Sequence, residues 1–327
     1  MTSSVVLPLL AVGLAVAVGV HAVLVWPAQL VLSGRQHNSP TLWAGLVLAP
    51  IAIALLVVAA LLLPAPLGAC HCAAHAPHHP HLCWVHPQLA APLTMPAALF
   101  LSSWALLVAP RLWRVVADAR RTARWARNAS EQMVSVDGVP VWLATCGSPI
   151  AVSVGAFQPR IVFDRELWSR LNDEERRAIV HHEHAHVLRG DGFTLLALRL
   201  AAALYVLPGA VRCIEEWRAA VELACDRHAS SAVGDPLAVA STLLSVERAC
   251  QVSTHAHAHG VLAARPGALL ESRVRALLEP ERYRAAGLVN DLLLVGCALC
   301  TAAFLVLVWP SDGVHHGVET LIGWAFH

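Results

Sequence analysis

The chain contains no lysine: every basic residue among its 327 is arginine. That absence excludes Schiff-base chemistry, which needs a lysine amine, and otherwise reads as a high-GC codon bias. Charge of either sign is scarce. Asp, Glu, Lys and Arg together make 14% of the chain and apolar residues 57%, against roughly 25% charged in a soluble protein. This is membrane composition. The net charge of +1 gives no reason to expect nucleic-acid binding. Acidic residues are almost missing from the long apolar runs, Asp291 near the start of the last being the exception, which counts against ion transport through them. The nine cysteines are scattered and form no secreted-scaffold pattern. Cys297 and Cys300 have Cys-x-x-Cys spacing but sit in an apolar run, where a small apolar role fits better than redox or metal chemistry.

Four runs are long enough to cross a bilayer, since about 20 residues of helix span the hydrocarbon core: residues 5–26, 42–63, 92–110 and 288–309. The first has no positive flank and is too long for a signal-peptide core, so it reads as a span. Arg111, Arg114, Arg120, Arg121, Arg124 and Arg127 follow the third run, while the loop 64–93 has no arginine. By the positive-inside rule the arginine side is cytoplasmic, and both termini are then external. Arg273, Arg275, Arg282 and Arg284 before the fourth run agree. The expected organisation is three spans over 1–110 with an external loop 64–93, a cytosolic domain at 111–286, a fourth span at 287–309 and an external tail at 310–327.

Within the cytosolic part lies His181-His182-Glu183-His184-Ala185-His186, with one His-Glu-x-x-His register. On a helix His182 and His186 share a face and can bind one zinc ion, and Glu183 beside the metal can take a proton from attacking water and hand it to a leaving amine. Asn172, followed by Asp173, Glu174 and Glu175, reads as an N-cap with a capping box, and Gly190 as the stop. The helix is expected over about 173–189, with Ile179, Val180, Val187 and Leu188 packing. A catalytic zinc needs a third protein ligand. Glu222 is the best candidate, and Asp226, four residues on and on the same face, would hold a ligand histidine in its tautomer. Cys225 falls on another face and is expected only to pack.

These pieces resemble the BlaR/MecR-type membrane metallopeptidases, relatives of the HtpX-type proteases. The matching residues are His182-Glu183-His184-Ala185-His186 with Arg189 and Asp191, then Glu222-Leu223-Ala224-Cys225-Asp226, and before them Ser148-Pro149 and Gly155-Ala156-Phe157-Gln158-Pro159-Arg160-Ile161-Val162. The resemblance implies a mainly α membrane protein, with four transmembrane helices and a cytosolic α+β gluzincin-type domain between spans three and four. It implies one zinc ion and, as substrate, a winged-helix repressor or the protease's own chain, cut in response to a signal. The receptors for beta-lactams carry a penicillin-binding domain after the fourth span. Here about 18 residues follow Trp309, so no such sensor is expected. A housekeeping quality-control protease and a non-catalytic metal-binding receptor are the alternatives.

Strands are expected at 134–136, 139–143, 151–154 and 160–163, with turns at Asp137-Gly138 and Gly147-Ser148-Pro149. One of them either forms a ledge for extended substrate or merely supports the fold. Residues 193–211 read as a buried, membrane-hugging or re-entrant helical segment whose Arg199 snorkels or pairs with a carboxylate. Cys70, Cys72 and Cys83 lie in a histidine-rich external loop, which is either a metal- or redox-sensing site or a low-complexity surface. The histidine repeat at 255–259 reads as a linker. Residues 271–278 read as a helix returning to the membrane, with arginines at lipid headgroups. His228, Tyr205 and several arginines are open as oxyanion stabilisers.

Overall fold

The computed structural model describes residues 3–25, 39–62, 91–129, 132–146, 150–252 and 266–279. The fourth apolar run, the loop with Cys70, Cys72 and Cys83, and the repeat at 255–259 lie outside the described residues. Three helices are long and apolar enough to cross a membrane: α1 (Ser3–Val20, continued by a π-turn His21–Val25), α2 (Pro40–Leu62) and α3 (Ala91–Ala129). They mark a membrane protein. α1 packs against both others, and at Gly13 a Cβ would stand 2.8 Å from Val58 Cγ2, the close approach that small residues permit between apolar helices.

α3 does not end at Pro110, where the apolar run does. It continues through Pro96 and Pro110 to Ala129, 39 residues in all. A proline removes one N–H and bends a helix, but the arginine- and alanine-rich sequence beyond is made of strong helix formers and carries it on.

A four-stranded sheet follows: β1 (Gln132–Val136), β2 (Val139–Ala144), β3 (Ala151–Val154) and β4 (Arg160–Asp164), in the order β1-β2-β4-β3. Asp137 and Gly138 both have positive φ, 49° and 82°, the geometry of a two-residue hairpin turn. β2 and β4 run parallel, while β3 pairs antiparallel with β4 and forms an edge. Val141, Ile161 and Phe163 face Leu167 of α4 (Arg165–Arg170) and Val180 of α5 (Asp173–Arg189).

α6 (Asp191–Leu204), α7 (Ala210–Val233), α8 (Pro236–Val252) and α9 (Pro266–Leu278) complete the described chain. Ala185 of α5, Leu198 of α6, and Trp217 and Cys225 of α7 share one core with Trp43 and Val47 of α2. The helices around the histidine motif are therefore packed onto the membrane helices themselves. α6 lies against α2 and α3, and Arg199 pairs with Asp118 of α3 at 3.2 Å, one of its two expected fates. The loop after α6 is held by Tyr205, whose hydroxyl donates to Val47 O at 2.8 Å and whose ring stacks on His21 at 4.4 Å.

Candidate metal centre

α5 forms for local reasons. Asn172 Oδ1 accepts from the Glu175 N–H at 2.9 Å, and Glu175 Oε2 accepts from the Asn172 N–H at 3.0 Å, a complete capping box. Gly190, at φ 68°, closes the other end and donates to His186 O and Val187 O. Val180 is fully buried, and Ile179 and Val187 pack against the sheet. Leu188, expected to pack, is instead 64% exposed in the last turn.

His182 and His186 both lie on the buried face, and α7 brings Glu222 to them. His182 Nε2 is 3.4 Å from Glu222 Oε2, and His186 Nε2 is 3.6 Å from Glu222 Oε1. The three ligand atoms lie within 4.8 Å of one another. The far nitrogens face carboxylates: His182 Nδ1 stands 2.9 Å from Asp226 Oδ1, and His186 Nδ1 donates to Asp191 Oδ2 at 2.9 Å. Each ring thus turns its Nε2 to the shared space, the arrangement that orients ligating histidines.

Sequence reasoning placed Asp226 here but gave Asp191 no role. Gly190 ends one helix and starts the next, so Asp191 returns under His186, where it also accepts from Arg189 Nε at 3.2 Å. Cys225 does more than pack. Its thiol is buried, 3.5 Å from His186 Nδ1 and 3.9 Å from Asp191 Oδ2, and burial together with the Asp191 and Glu222 charges pushes it up, away from thiolate.

The arginines of the 271–278 helix were expected at lipid headgroups. Arg273 instead enters the site: Nε and Nη2 each donate to Asp226 at 2.7 Å, and Nη1 lies 3.0 Å from Glu222 Oε2. Two buried carboxylates need a counter-charge, and this is it. Burial alone would push both carboxyls up, but Arg273 and His182 reverse that and hold Glu222 and Asp226 below the usual carboxylate range. Burial likewise pulls His182 down, and Asp226 and Glu222 outweigh it, raising it to about 10. The missed signal was periodic: Arg273 shares a face with Ala276 and Leu277, which are buried.

Glu183, beside the pair, accepts from the Ser153 N–H at 2.6 Å. That N–H points away from β4, so the outer edge of β3 runs directly to the carboxylate. A cleft beside His186 continues along Gly155, Ala156, Pro159 and Phe193, with Phe157 and Phe193 in edge contact at 5.8 Å. Its wall depends on glycine: a Cβ on Gly192 would meet Gly155 O at 2.7 Å. Gly192→Ala is expected to lower stability by about 1–3 kcal/mol, measured as a shift in Tm.

Residues 143–277 match the family described as BlaR1 peptidase M56. That segment is similar to the family. It contains both helices of the site, and Arg273 with them. No curated protein and no solved structure matched. With three apolar helices, the family points to a membrane metallopeptidase. The residues present fit a metal: two imidazoles and a carboxylate, buried and convergent, with a carboxylate behind each ring. Asp191→Ala, which frees the His186 ring, is expected to weaken metal binding about 10–100-fold, read by competition with a chelator.

Proposed function

We propose that the chain is a zinc endopeptidase with its site at the cytoplasmic face, cutting a winged-helix repressor, its own chain or both in response to a signal. The observation that carries the reading is the direct join between Glu183 and the edge of β3, beside His182, His186 and Glu222. An extended polypeptide adding to that edge would lay its peptide bonds past the carboxylate. The register places the peptide groups of Ala151 and Ser153 outward.

His182, His186 and Glu222 would hold the ion, whose chemistry is to acidify water and polarise the scissile carbonyl. Glu183 takes the proton from the attacking water and passes it to the leaving amine nitrogen. Asp226 and Asp191 keep the two rings aimed, and Arg273 balances the buried charge. The arginine-rich continuation of α3 and the arginine-free loop 64–93 support a cytoplasmic site. The continuous core between α2, α5 and α7 supports a signal reaching the site through the spans.

The test is co-expression in membranes with a winged-helix repressor, following the repressor's size. Wild type should cut it at one or two sites and Glu183→Ala should not. Glu183-dependent degradation of many unrelated unfolded membrane proteins, with the repressor left whole, would replace this reading by quality control. Zinc bound with no Glu183-dependent proteolysis would replace it by a non-catalytic receptor.

A further inference from the structure

The histidine motif leaves two of its imidazoles unused. His181 and His184 stand on the side of α5 turned from His182 and His186, and α7 sets His228 against them. Each of the three rings offers a nitrogen, and these atoms all lie within 4.8 Å of one another. Neither His184 nor His228 has a hydrogen bond among the described residues. His181 does: its Nε2 is 2.9 Å from Asp137 Oδ2, and that carboxylate is fixed in turn by Arg177 Nε at 2.8 Å. A ring held by a carboxylate on its flank is the pattern behind ligating histidines.

We infer that His181, His184 and His228 form a second metal site, separate from the centre around Glu222, which takes a divalent cation of the zinc, copper or nickel class. Three imidazoles without a carboxylate ligand suit those ions and disfavour calcium and magnesium. Ligands in a tetrahedral zinc site stand about 3.4 Å apart at bond lengths near 2.1 Å, which small ring rotations reach from this arrangement. His181 and His184 are half-buried and His228 is exposed, so the site exchanges with solvent and keeps an open position. The ion ties α5 to α7, the two helices that carry the catalytic set. It stiffens their contact when cation is plentiful and releases it when cation is scarce. The inference does not depend on the substrate or on proteolysis.

The test uses the full chain in lipid nanodiscs at buffered free zinc, comparing wild type with the double variant His184→Gln/His228→Gln. Zinc per chain and the rise in Tm on adding zinc are measured for each. Both forms keep the histidine-rich segments at 71–86 and 255–259, so their contribution cancels in the difference. The double variant should hold one zinc fewer and lose the part of the Tm rise seen at higher free zinc. Equal zinc content and an equal Tm rise in a folded double variant would overturn the inference. If the double variant does not fold, the exposed His228→Gln alone is decisive: the second equivalent should then bind at least about tenfold more weakly, and unchanged binding overturns the site.

Discussion

Glu183→Ala should reduce peptide cleavage by about a hundred- to ten-thousand-fold while zinc stays bound. The carboxylate is not among the converging ligand atoms, which come from His182, His186 and Glu222, so its removal takes away proton transfer and leaves the donor set whole. General acid–base catalysis contributes a factor of that size. The loss should appear in kcat more than in KM, because proton transfer to the leaving amine belongs to the transition state. A zinc assay on the same preparation separates this outcome from loss of the metal. Glu183→Ala also frees the Ser153 N–H, an exposed-edge group that water or substrate can satisfy, so the fold should survive.

The second large effect is at Arg273. Replacing it by methionine keeps the length of the side chain and removes the charge that holds Glu222 and Asp226. Breaking one partner out of a buried ion-pair network costs about 3–5 kcal/mol, so metal-free Arg273→Met should be less stable by about that much, measured by denaturant unfolding in detergent. The pH dependence should change with it. Both carboxyls are held below their ordinary range in the folded wild type. Their contribution is therefore complete above the unfolded values near 4 and disappears as the pH falls through the depressed folded values. In Arg273→Met the folded values move back toward the unfolded ones, so the acid-side loss should be smaller than in wild type. Bound zinc should recover part of the deficit, since the ion replaces the missing positive charge on Glu222.

The parts of this centre that local chemistry writes were legible in the sequence. Asn172 and Glu175 announce a helix start, Gly190 its end, and the spacing of His182 and His186 needs nothing beyond helical period. Glu222 and Asp226 could be paired with them because a third ligand was required and the same i, i+4 spacing offered one. The strands were placed within a residue or two, since turn residues and β-branched runs bound them. What stayed hidden depends on where elements meet. Arg273 lies 47 residues from Asp226, and only the packing of α9 against α7 shows that its face is turned inward. Asp191 was visible as a residue but its role depends on the sharp turn at Gly190. The length of the third helix was also hidden: Pro110 looks like a stop locally, whereas α3 continues and meets Arg199 through Asp118. The shared core of Trp43, Val47, Trp217 and Cys225 joins distant apolar residues that no periodicity pairs.

The central claim is that His182, His186 and Glu222 hold one zinc ion beside Glu183. X-ray absorption at the zinc edge, on the full chain of Glu183→Ala loaded with one zinc per chain, tests it most directly. The account predicts a shell of nitrogen and oxygen with two imidazoles and no sulfur, altered when Glu222 is also changed to glutamine. A sulfur ligand, or a spectrum indifferent to Glu222→Gln and to His186→Gln, would contradict it.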